Sequence, residues 1–167
     1  MNQPKELLRP VKTRYILLSF ATSIMLELLP VNVSTLLWLP DLSALLVLYW
    51  SINHPSRVGI VAAFCVGIVM DVAGATYIGQ HALAYITMTY FVSTRQRQLV
   101  MYNNGHQSLI VLALLLLSQA IMMLSRLALG ASFIGWTYFL PPFIGALLWP
   151  LLAKILIIPQ RSSSQPR

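Results

Sequence analysis

Long apolar stretches separated by short polar breaks run through almost the whole chain. Six stretches stand out, at residues 15–29, 36–53, 58–75, 77–93, 108–129 and 134–158. About 20 apolar residues let a helix cross a bilayer. The fifth stretch, Ser108 to Leu129, is the cleanest match, and the sixth is long and interrupted by Pro141, Pro142 and Pro150. The fourth is amphipathic. The first and second are short and flank a Pro30–Pro40 connection, read as an interfacial loop anchored by Trp38. The pattern predicts an all-α, polytopic membrane protein: a bundle of about six transmembrane helices with both termini in the cytoplasm. Its parts are a basic N-terminus (1–14), a transmembrane domain (15–158) and a disordered cytoplasmic tail (159–167). Lys5, Arg9, Lys12 and Arg14 precede the first run, but no small-x-small cleavage site follows it, so an uncleaved first span is expected.

Charge supports that segmentation. With the N-terminus inside, the inner segments and the adjoining helix end hold Lys5, Arg9, Lys12, Arg14, Arg57, Arg95, Arg97, Lys154, Arg161 and Arg167, ten of the eleven basic residues. Only Arg126 falls outside, near the end of the fifth span, while Asp41 and Asp71 fall at outer helix ends. Cytoplasmic loops are enriched in Lys and Arg, and here every second loop is. Trp38, Trp50, Trp136 and Trp149 lie near proposed span ends or polar breaks, where an aromatic belt would place them.

Composition narrows the class further. Apolar residues make up 57% of the 167, charged residues only 9%, and mean hydropathy is +0.74. A soluble domain carries about 25% charged residues, so this chain lacks a water-compatible surface. The formal charge of +7 then reports orientation rather than nucleic-acid binding. The single Cys65 excludes an internal disulfide framework.

Candidate chemistry is sparse. Gly59, Ala63, Gly67, Asp71 and Ala75 recur every four residues, which sets them on one helix face. Small residues let helices approach closely in lipid, so this is a candidate helix-packing or partner face. Gly74 and Gly79 allow a tight turn after it. Gln80, His81, Gln119 and Arg126 form a candidate buried polar cluster; Gln119 and Arg126 are seven apart, as are Ser118 and Ser125. Glu27 is read as an interfacial end residue or a partner of Arg126, and Asp41, after Pro40, as a helix cap. Pro141, Pro142, Gly145, Trp149 and Pro150 mark a candidate kinked helix, since proline removes a backbone donor. His54 and His106 lie opposite His81 in this topology, so no metal site is expected. No G-x-S-x-G, H-E-x-x-H or P-loop occurs, and no catalytic or cofactor-binding residue is assigned.

Taken in order, the motifs carry a resemblance. Pro40-Asp41-Leu42 leads to Leu48-Tyr49-Trp50, then His54-Pro55, Arg57-Val58-Gly59, Gly67 and Asp71-Val72. Gly74, Gly79, Ala82-Leu83-Ala84-Tyr85, His106-Gln107 and Leu147-Leu148-Trp149-Pro150 follow. This resembles the bacterial rod shape-determining MreD family, particularly its proteobacterial branch, from about Tyr15 to Lys154. Arg126 and the Pro30–Leu39 stretch match nothing in the family pattern.

The resemblance implies a non-enzymatic inner-membrane component of the cell-elongation machinery. The implied partners are the bitopic protein MreC, MreB filaments, and RodA with its penicillin-binding transpeptidase. Membrane lipid is a further contact, drawn to the basic inner loops. The implied fold is similar to the substrate-binding subunits of energy-coupling-factor transporters. That likeness keeps a ligand pocket in play. The alternative function, motivated by the polar set Gln80, His81, Gln119 and Arg126 in a bundle with a broken sixth helix, is a small-molecule-binding transporter subunit with those side chains lining an outer pocket.

Overall fold

The computed structural model describes residues 12–29, 38–74 and 77–162. Parts of several expectations lie outside them: most of the basic N-terminus, residues 30–37 of the connection, Ala75 of the small-residue face, and 163–167 of the tail. The described chain is all-helical: α1 (Thr13–Glu27), α2 (Leu42–Asn53), α3 (Ile60–Ala73), α4 (Gln80–Met101), α5 (Asn104–Ala128) and α6 (Pro141–Ser162). A short 3-10 helix, Trp136–Phe139, precedes α6.

Each helix corresponds to one apolar stretch, with shifted ends. The fourth continues past 93 to Met101 because Ser93–Gln98 form a polar but helix-compatible run. The sixth runs on to Ser162, beyond the expected boundary of the tail. Of the residues read as kinking the sixth helix, Pro141 and Pro142 open α6 rather than break it, while Pro150 lies inside it. At the first helical positions the missing N–H has no partner to lose, and the fixed φ suits the helix.

Helix α2 is the centre. Every residue from Ser43 to Ile52 is buried. It packs against α1, α4, α5 and α6, while α3, α4, α5 and α6 pack in sequence around it. Twelve residues span only about 18 Å, against a hydrocarbon layer about 30 Å thick. A helix sheathed by protein need not match that thickness. Two segments are long and apolar enough to cross a membrane by themselves, Gly105–Ala128 and Trp136–Ile157.

Much of the exterior is apolar too. Val61, Val72, Leu109, Leu124, Leu147 and Ile155 are all exposed, along with much of the outer surface of α1. A water-soluble monomer rarely shows contiguous apolar surface on this scale, whereas lipid accepts it. The aromatic-belt reading holds a correction. Trp38 and Trp136 are exposed, but Trp50 and Trp149 are core residues, 0% and 1% exposed. Trp50 donates to Ser19 Oγ at 3.0 Å, and Trp149 to Gln107 Oε1 at 3.4 Å. A buried indole needs such a partner.

The two ends of the bundle differ in charge. Glu27, Asp41 and Asp71, the only described acids, lie where α1 and α3 end and α2 begins. Lys12, Arg14, Arg57, Arg95, Arg97 and Lys154 lie toward the opposite end, in the second halves of α4 and α6, at the start of α1 and in the loop between α2 and α3.

Candidate functional site: a polar cavity at the acidic end

At the acidic end the three carboxylates satisfy helix starts. The first N–H groups of a helix have no partner within it, and in lipid no water replaces one. Asp41 caps its own helix, accepting from Ala44 N at 2.7 Å. Glu27, from α1, takes Ser43 N at 2.8 Å and Ser43 Oγ at 3.0 Å. Asp71, from α3, serves α4. It accepts from Gly79 N at 2.7 Å and His81 N at 3.0 Å. His81 Nδ1 lies 2.7 Å from the same Oδ1, which places the ring proton on Nδ1. Gly79 itself has φ +99°, a left-handed conformation that glycine adopts without strain, and carries no side chain to cap α4. The carboxylates also suit the positive helix ends.

The small-residue face lies inside this arrangement. Ala63 and Asp71 are fully buried, and a Cβ on Gly67 would run into the backbone of Ala82. At Gly67 the face therefore packs α3 onto α4. Gly59 stands apart as the residue before the first turn of α3. Gly145 allows a similar close approach of α6, where an added Cβ would meet Leu115 Cδ1 at 2.9 Å.

Gln80, His81, Gln119 and Arg126 all line one cavity of about 420 Å³, with Glu27, Asp41 and Tyr138 on its other walls and Met70 and Met122 among its apolar lining. No ion pair joins Glu27 to Arg126. The Arg126 guanidinium sits instead 5.9 Å from the centre of the Tyr77 ring, a cation–π contact. Asp41 is further fixed by the Tyr85 hydroxyl, which donates to it at 2.8 Å. Ser118 turns back to the Leu115 carbonyl and Ser125 to the Ile121 carbonyl, so neither joins the cluster.

Glu27, Ser43 and Tyr85 are absent from the sequence-derived cluster. A signal for the first existed: Ser19, Ser23 and Glu27 recur every four residues, a polar stripe on an otherwise apolar helix. That stripe meets Trp50 and Ser43 of α2.

Chemically, the cavity suits binding. Asp71 and His81 form an acid–imidazole pair of the kind that orients a general base, but the described lining holds no Ser, Thr or Cys to activate. Among the described residues no cluster of three His, Cys, Asp or Glu is placed to hold a metal ion.

Comparison with known proteins places the chain. The family model described as "rod shape-determining protein MreD" matches residues 9–158. A rod shape-determining protein MreD of Haemophilus influenzae (strain ATCC 51907 / DSM 11121 / KW20 / Rd) is 30% identical over 135 residues, 81% of this chain and 83% of the relative. No solved structure matches significantly. The match covers all six helices almost to the end of α6 and the whole polar cavity, and so the chain belongs to the MreD family of rod shape-determining membrane proteins.

Proposed function

We propose that this chain is a non-enzymatic, multi-pass scaffold of the bacterial inner membrane that maintains rod shape. All six helices span, the basic end faces the cytoplasm, and the acidic end faces outward. The chain links MreC and the MreB cytoskeleton to lateral peptidoglycan synthesis by RodA and its transpeptidase. Family membership carries this reading; the apolar exterior and the polarised charge agree with it.

A lateral groove supports the scaffold role. Between α1 and α6 lies an open apolar hollow of about 340 Å³, floored by Leu42, Leu45 and Leu46 of α2 and walled by Leu26, Leu151 and Ile155. Helices that associate in lipid gain from close packing in such a hollow, and the hydroxyls of Ser19 and Thr22 at its edge offer polar contact. The groove fits the single membrane helix of a bitopic partner, here MreC.

Depletion and complementation test the role. A rod-shaped bacterium depleted of its own family member is expected to round up and to regain its shape when this chain is supplied. Cells that stay rod-shaped without any family member overturn the reading. For the groove, a cysteine at Leu151 in a Cys65→Ser background is expected to crosslink to a cysteine in the MreC membrane helix, and one at Leu83 on α4 is not.

A further inference from the structure

The acidic-end cavity holds polar groups that the capping scheme does not use. Gln80 and Gln119 are 4% and 8% exposed, yet their Oε1 atoms find no hydrogen-bond partner among the described residues. The Nε of Arg126 is in the same position. All three side chains line the cavity. Buried polar groups are rarely left unpaired, because each costs about 1–3 kcal/mol.

The carboxylates add a second deficit. Glu27 is held by Ser43, and Asp41 by Ala44 N and Tyr85, all neutral donors. Neither has a cation within ion-pair distance among the described residues. A carboxylate has about four acceptor sites, so both retain capacity toward the cavity. Such capacity buried beside apolar Met70, Met122 and Ile134 calls for a positive donor.

We propose that the cavity binds a protonated amine that carries a neighbouring anionic group. The ammonium has three N–H donors, one each for Glu27, Asp41 and a glutamine oxygen, that of Gln119. The anion accepts from Arg126 Nε–H in a charge-assisted bond. A volume of about 420 Å³ falls within the range of small-molecule sites. This chemistry is shared by the phosphoethanolamine headgroup of a lipid and by a free amino-alkyl phosphate or amino acid. The inference is independent of the scaffold role, because its test reads binding and not cell shape.

The test uses the purified full chain. In detergent, thermal unfolding is followed with O-phosphoethanolamine, ethylamine or inorganic phosphate. In nanodiscs, native mass spectrometry compares phosphatidylethanolamine with phosphatidylglycerol. A saturable rise in Tm with O-phosphoethanolamine supports a free ligand, and selective retention of phosphatidylethanolamine supports the headgroup. Each half-probe is expected to bind about tenfold more weakly or worse. Gln119→Leu and Arg126→Gln should abolish binding, while Arg126→Lys retains much of it; size exclusion and circular dichroism confirm that each variant is folded. The proposal is overturned if neither zwitterion binds, if ethylamine alone binds as well, or if folded Gln119→Leu and Arg126→Gln bind unchanged.

Discussion

A methyl group at Gly67 would press on the backbone of Ala82, and a methyl group at Gly145 on the tip of Leu115. Backbone cannot step aside without moving α4; a leucine methyl can rotate. Gly67→Ala is therefore expected to destabilise by about 2–3 kcal/mol and Gly145→Ala by about 1 kcal/mol or less, read as the difference in Tm in detergent. Asp71 allows a second comparison. Asp71→Ala strips the acceptor from Gly79 N, His81 N and the His81 ring, and its loss should cost about 3 kcal/mol. Asp71→Asn keeps one carbonyl oxygen and should cost roughly half as much. At this scale the sequence is legible where a side chain acts on its own helix. Asp41 follows Pro40 and caps the turn it begins, so local spacing reveals it. Asp71 and Glu27 cap helices other than their own, and nothing local records the partner.

Among the helices, α1 is the least embedded. It packs on α2 through one stripe: Ser19 to Trp50, then Ser23 and Glu27 to Ser43. The remainder of its surface is largely exposed, with Leu17, Leu18 and Met25 between 63% and 71% accessible. Few buried contacts mean a low local opening free energy. Hydrogen exchange in detergent should find α1 opening first, and Glu27→Ala with Ser43→Ala should speed exchange in α1 while leaving α5 unchanged. The existence of every helix was readable from its apolar run, because each run is bounded by polar or proline-containing breaks. Which helix occupies the centre was not. α2 is apolar around its whole circumference, so no periodicity separates a protein-facing side from a lipid-facing one. Trp50 and Trp149 look interfacial by position for the same reason. Pro141 and Pro142 read as a kink only while the start of α6 is unknown.

Across the whole molecule, charge separates along one axis. The described acids crowd one end, and six described cations lie toward the other. The distribution of Lys and Arg sets orientation in membranes. Alkaline phosphatase fused at Ser132, between α5 and α6, is expected to be active, and the same enzyme fused after Arg167 inactive; the reverse result inverts the topology. This polarity was the clearest large-scale message of the sequence, since it needs only the order of charges and apolar runs. The cavity was only partly legible. Gln119 and Arg126 share a face by spacing, but their meeting with Gln80 and His81 depends on how α4 and α5 pack. The bonds of Asp71 carry one more implication, for biogenesis. They reach forward to Gly79 and His81, which leave the ribosome later than Asp71 does. Until those residues emerge, the carboxylate of α3 lacks these two backbone donors, and the helix is a poor candidate for release from the translocon. If all six helices span, as proposed, the third and fourth are expected to enter the membrane as a hairpin, and a nascent chain arrested before Gly79 clears the insertion channel should wait there.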